Sequence, residues 1–123
     1  MTSPTQRTLA WLRTDLQAQA QVVERWNPHA RIRQDLFGCI DIVAVTTVVI
    51  GVQACAASSH SARVKKSMAE PKLLPWLRAG AIFWVVSWGK KGKRGELKRW
   101  TKRVTAIYSR LDDSLCAAEV EDA

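Results

Sequence analysis

The sequence predicts an α/β protein built around one mixed sheet, and three observations predict it. Residues 39–55 form a long apolar run rich in β-branched side chains, interrupted by Thr46-Thr47. Residues 81–88 form a second such run. Before and between them lie two segments whose apolar residues recur at helical spacing. At 123 residues the chain suits one domain, and 47% hydrophobic with 24% charged residues is globular composition rather than that of a disordered chain.

The elements follow in order. Leu9, Leu12 and Leu16, with Trp11 beside them, predict a helix over residues 5–18, capped by Ser3 or Thr5. Val22, Val23 and Trp26 suggest a short strand ended by Asn27-Pro28, and His29 to Gly38 is polar and basic and reads as a loop. Cys39–Val45 and Val48–Cys55 predict a central β-hairpin. Ser61, Val64 and Met68 continue the helical spacing from Ala57, with Ser58 or Ser59 as cap, and Pro71 ends that helix. Ala81–Trp88 is a strand, Gly89 to Gly95 a Gly/Lys-rich turn, and Lys98–Ile107 a last strand, although Val104, Ile107, Leu111 and Leu115 also fit a helix. The order is α-β-β-β-α-β with an additional C-terminal strand. Residues 1–110 form the domain, and 111–123 an acidic tail.

Charge narrows the partners. The chain carries a net +8, yet five of its eleven acids follow residue 111. Residues 1–111, with nineteen basic residues and six acids, carry +13. Such a surface attracts polyanions by releasing their counterions. Lys90, Lys91, Lys93, Arg94, Lys98, Arg99, Lys102 and Arg103 cluster around a Gly-rich turn flanked by Trp88 and Trp100. Long cations there suit a phosphate backbone, and an indole suits a base. The longest apolar run, Ile42 to Ala57, contains Thr46, Thr47 and Gln53 and is too short to span a bilayer, so no membrane partner is expected. Cys39, Cys55 and Cys116 form no metal-like spacing with His29 and His60. With no signal-peptide core, their odd number predicts reduced thiols and a cytoplasmic location.

The hairpin carries the candidate chemistry. Asp41 and Gln53 are polar side chains in apolar strands, which is costly unless they are partnered. If the strands pair about Thr47, the two sit directly opposite, with β-carbons about 5 Å apart. A two-residue turn instead shifts the pairing by one and separates them. An acid and an amide oxygen so placed suit a hard cation such as Mg2+. The competing reading of Asp41 is an acid paired with Arg31 or Arg33; that of Gln53 is a buried amide satisfied by backbone.

Gly38-x-x-Asp41 before an apolar strand, with Gln53-x-Cys55 twelve residues on, resembles the PD-(D/E)XK nuclease superfamily. The likeness is to its small members similar to archaeal Holliday-junction resolvases and virus-type replication-repair nucleases. It covers roughly residues 5–90 and implies a restriction-endonuclease-like core of helix, three strands, helix and strand. It also implies a Mg2+- or Mn2+-dependent endonuclease acting on branched DNA as a homodimer, with Trp76, Phe83 or Trp84 at the interface. Asp41 matches the family's Asp; Gln53 stands at the Glu position and Cys55 at the Lys position. The resemblance implies catalytic roles for Asp41, Gln53, Glu24 and Lys65, and metal ligation by Asp41, Gln53 and Asp35. Arg63 and Lys66 are further sources of the missing base. Arg31, Arg33, Arg63, Lys66, Lys90, Lys91, Lys93 and Arg94 are the expected DNA contacts. The substitutions at 53 and 55 support a second expectation, a non-catalytic nucleic-acid-binding protein. His60, among serines in a helix's first turn, is placed to hold a phosphate with that turn's amides.

Overall fold

The computed structural model describes residues 2–92 and 99–121. Helix α1 (Pro4–Thr14) opens the chain; Ser3 Oγ accepts from Gln6 N at 3.1 Å, and Pro4 occupies the first turn. It ends before residue 18 because Gln17 takes a left-handed conformation (φ +52°) that turns the chain into β1 (Gln19–Val22). There follow β2 (Arg25–Asn27), β3 (Ile32–Gln34), β4 (Ile42–Val45) and β5 (Val49–Ala56). A 3-10 turn (Ala57–Ser59) leads into α2 (His60–Met68) and α3 (Leu73–Arg78). The chain closes with β6 (Ile82–Lys91), β7 (Arg99–Ser109) and β8 (Leu115–Glu119).

The protein is α/β, with a mixed six-stranded sheet in the order β1-β4-β5-β6-β7-β8. Among the described residues only the β5–β6 pair is parallel, as its helical crossover through α2 and α3 requires. Alternation along the strands separates two cores. Leu9, Trp11 and Leu12 of α1 cover Ile42, Ala44, Ile50, Val52, Val86 and Val104 on one face. Leu73 of α3, with Val64 and Met68 of α2, covers Cys39, Cys55, Phe83, Val85 and Ile107 on the other.

Five expectations are corrected. The strand expected over Val22–Trp26 is two strands in different sheets, because the chain leaves β1 at Val23 and Glu24 to start a separate hairpin. The loop expected over His29–Gly38 contains β3, paired with β2 through Trp26↔Arg33. The stretch expected as a tail supplies β8, which pairs with β7 from Thr105↔Glu119 to Ser109↔Leu115. The same pairing excludes the helical reading of residues 104–115. Finally, Phe83 is fully buried and so is not an interface residue, while the half-buried Trp84 packs 6.1 Å from Trp11 and the half-buried Trp76 donates from Nε1 to Ile82 O at 2.9 Å.

β5 ends opposite Trp88, and β8 reaches only Thr105, so Gly89–Lys91 and Arg99–Thr101 run on as a two-stranded ribbon. The expected turn therefore begins later than Gly89. A β-carbon at Gly89 would lie 2.8 Å from Ala57 Cβ, so glycine lets the 3-10 turn pack against the ribbon's base. At the opposite margin of the sheet, Arg13 donates from Nε and Nη2 to the Ala20 carbonyl of β1, at 3.1 and 2.7 Å. Among the described residues no helix is long and apolar enough to cross a membrane.

Candidate metal centre

The β4–β5 register is that of pairing about Thr47: Ile42 faces Val52 and Val45 faces Val49. One step beyond, Asp41 N donates to Val52 O at 2.8 Å, and the two side chains meet. Gln53 Nε2 donates to Asp41 Oδ2 at 2.6 Å, and Ala54 N donates to the same oxygen at 2.9 Å. Both residues are buried, at 3% and 2% exposure.

Backbone geometry brings two further carboxylates to Asp41. Val23 N and Glu24 N donate to Asp41 O at 2.8 and 3.3 Å, which fixes Glu24 beside it. From Asp35 the chain doubles back through Phe37 (φ +54°) and Gly38 (φ +78°), closed by mutual bonds between Leu36 and Ile40. This turn returns the chain to Asp41 within six residues. Gly38 suits its left-handed φ, and the Glu70 carboxylate packs against it in the space a side chain would take. One ligand oxygen from each of Glu24, Asp35 and Asp41 falls within 4.8 Å of the others.

Burial, reinforced by the neighbouring Asp35 carboxyl, pushes the Asp41 carboxyl up to about 8, against the opposing pull of the Ala54 amide. Gln53 spends its amide nitrogen on Asp41, and its buried Oε1 has no hydrogen-bond partner among the described residues. An unmet buried acceptor costs about 1–3 kcal/mol. Clustered acids are relieved by a hard cation with oxygen ligands, so the three carboxylates fit Mg2+ or Mn2+. Arg33 is bound to Glu24 at 3.1 Å, and not to Asp41, but it is 68% exposed. Such a surface pair contributes under about 1 kcal/mol and yields readily to a divalent ion.

The basic residues expected on α2 separate. Lys66 joins Asp35, Arg33 and Lys72 around a cleft of about 370 Å3 beside the acids. Arg63 is half-buried, and its charge acts on the Cys55 thiol. Lys65 is exposed and lies about 200° around the helix from Arg63, off the side that carries Lys66 toward the cleft. It is not among the residues lining that cleft. Burial raises the Cys55 thiol and pushes the Cys39 thiol up to about 12, so both are neutral near pH 7.

Lys90 and Lys91 lie on the β6–β7 ribbon; Lys93 and Arg94 fall outside the described residues. Arg7 stacks over the Trp100 ring at 3.8 Å, Lys90 Nζ lies 5.3 Å from the same ring, and Lys102 Nζ lies 5.1 Å from Trp11. These contacts hold three cations on the α1 side of the ribbon. Trp100 supports Arg7 on its ring while remaining 45% exposed. By strand alternation Lys91 and Arg99 point to the opposite side, the side of Gln53.

His60 is not a phosphate ligand. It is 1% exposed, with Nδ1 2.6 Å from Ser87 Oγ and Nε2 2.7 Å from Thr105 Oγ1. Thr105 Oγ1 donates onward to Glu119 Oε1 at 2.8 Å, which makes it the acceptor for His60 and leaves Nδ1 to accept from Ser87. Glu119 is also gripped by Arg103. Nothing in the local sequence signals this chain, because its members come from α2, β6, β7 and β8.

Fold and site together define a mixed α/β protein with a carboxylate cluster at the end of the sheet where β5 leads into α2. Comparison with family models, with curated proteins and with solved structures finds no match.

Proposed function

We propose that this chain is a metal-dependent endonuclease that hydrolyses phosphodiester bonds in DNA, with a degenerate PD-(D/E)XK-type site. The observation that carries this reading is the convergence of Glu24, Asp35 and Asp41 within 4.8 Å, with Gln53 bound to Asp41 through its amide nitrogen. The order of elements supports it. With the β2–β3 hairpin set aside as an insertion, the chain runs helix, three strands (β1, β4, β5), helix, and then strand β6. Net charge +8 supports a polyanionic substrate.

A bound Mg2+ or Mn2+ supplies Lewis-acid stabilisation of phosphoryl charge and a more acidic water. Asp41, anchored by two N–H donors, is the fixed ligand; Glu24 and Asp35 complete the anionic set. Lys66 faces the cleft beside Asp35 and neutralises the phosphate there. Lys91 and Arg99 extend positive charge on the same side of the sheet. Branched DNA and a homodimer belong to the same proposal.

Cleavage of branched and duplex DNA with Mg2+ and Mn2+ tests the reading. Asp41→Ala should lower the rate by about 100-fold or more. Failure of both metals to support cutting, or full activity in Asp41→Ala, overturns it.

One observation favours a second reading, a non-catalytic DNA-binding protein. Cys55, where the resembled family carries a lysine, is buried and neutral. On this reading salt-sensitive binding persists in Asp41→Ala while no preparation cuts.

A further inference from the structure

Among the described residues the β2–β3 hairpin forms a two-stranded sheet of its own, with both large apolar side chains, Trp26 and Ile32, exposed. Its placement is nonetheless specific. The register pairs Arg25 with Gln34, so Glu24 and Asp35 are the next pair at its base, where the hairpin meets Asp41. Alternation then puts Trp26 and Arg33, which face each other, on the same side as Glu24 and Asp35, and the Arg33–Glu24 bond agrees. Trp26 is 55% exposed, a large apolar ring held out beside the site. Residues 25–34 contain Arg25, Arg31 and Arg33 and no acid, all three guanidinium residues being exposed. The tip is pre-organised: Asn27 Oδ1 accepts from His29 N and Ala30 N, and Asn27 Nδ2 donates to Gln34 Oε1.

We propose that this hairpin is a substrate arm on which Trp26 stacks against an unpaired base within one or two nucleotides of the phosphate at the carboxylates. The inference rests on the nuclease reading and names its substrate class: DNA with an unpaired base at a fork, gap or junction, in preference to continuous duplex. Charge complementarity selects a polyanion as occupant, with Arg25, Arg31 and Arg33 serving the backbone. The dimension fits. Trp26 lies two residues from Glu24, about 7 Å along the strand, which is two stacked-base rises. A duplex keeps its bases stacked on each other, whereas an unpaired base offers a free π-face to an exposed indole.

The test measures binding in EDTA, so that it stands apart from cutting. Duplexes are made with 2-aminopurine either unpaired in a one-nucleotide gap or fully paired. Wild type should quench the unpaired probe and bind the gapped duplex more tightly than the paired one. Trp26→Ala should lose the quenching and about 10-fold in affinity for the gapped duplex, with less than a twofold change for the paired one. Trp26→Phe should recover part of both. Equal losses on both duplexes, no loss on either, or a change in the oligomeric state of Trp26→Ala that accounts for the loss would each overturn the proposal. A chain that passes this test yet cuts nothing with Mg2+ or Mn2+ keeps the arm and loses the nuclease reading.

Discussion

Gln53 donates its side-chain amide to the Asp41 carboxylate over 2.6 Å across the β4–β5 hairpin, with both side chains buried. The bond has a direction. Nitrogen faces the acid, so Oε1 is left without a partner among the described residues. Rotating the amide would set oxygen against oxygen, which is stable only with a proton or a cation between them.

Gln53→Glu therefore places a fourth carboxylate against three. Without metal, the variant should unfold roughly 5–10 °C below the parent at pH 8. Added Mg2+ should recover that loss and bind several-fold more tightly than to the parent. Thermal unfolding over a Mg2+ titration checks both; a metal-independent drop would show that Gln53 serves packing alone.

Two neighbouring lysines should behave differently. Lys66→Ala removes the cation that lines the cleft with Asp35, and cleavage should fall about 10-fold or more. Lys65→Ala should change it less than twofold. Single-turnover cutting of one junction substrate by the two variants decides between them.

The ribbon predicts a salt effect. Each cation on a phosphate contributes about 0.9 to the slope of log affinity against log salt. Lys91→Gln with Arg99→Gln should lower that slope by roughly 2 while leaving the unfolding temperature nearly unchanged. An unaltered slope would place DNA elsewhere.

His60 makes stability pH-dependent. Burial holds its pKa below the usual 6.5, with Arg103 adding to the effect. The folded state thus binds its proton less readily than the unfolded one, and the stabilisation present above pH 6.5 is lost as pH falls below it. Wild type should lose unfolding temperature between pH 7.5 and 5.5 more steeply than His60→Gln. His60→Ala, which strands the Ser87 and Thr105 hydroxyls, should be destabilised by about 3 kcal/mol at pH 7.5.

The hairpin register was legible because a long β-branched run with one polar break admits few pairings, and Thr47 is its midpoint. Asp41, Gln53, Glu24 and Asp35 were legible as polar interruptions near that run. The β2–β3 hairpin was not, because every residue of β3 is exposed and no apolar alternation marks it. β8 was hidden by the acids that flank and end it; what docks it is Leu115, packed near Ile107, and the Glu119 contacts to Arg103 and Thr105. Lys65 and Lys66 are adjacent in sequence, and only the helix phase distinguishes them. The burial of His60 depends on hydroxyls 27 and 45 residues away, a separation no local pattern carries.

The Arg13 side chain bent onto the Ala20 carbonyl has a consequence for the protein in bulk. A sheet margin with open carbonyls invites a further strand, and through it indefinite stacking of chains. Here one margin is a four-residue strand with a guanidinium already occupying one of its acceptors, and the other ends in Glu119 locked to Arg103. The β1 border thus discourages growth from its side, so a lasting pairing of two copies through that rim is disfavoured.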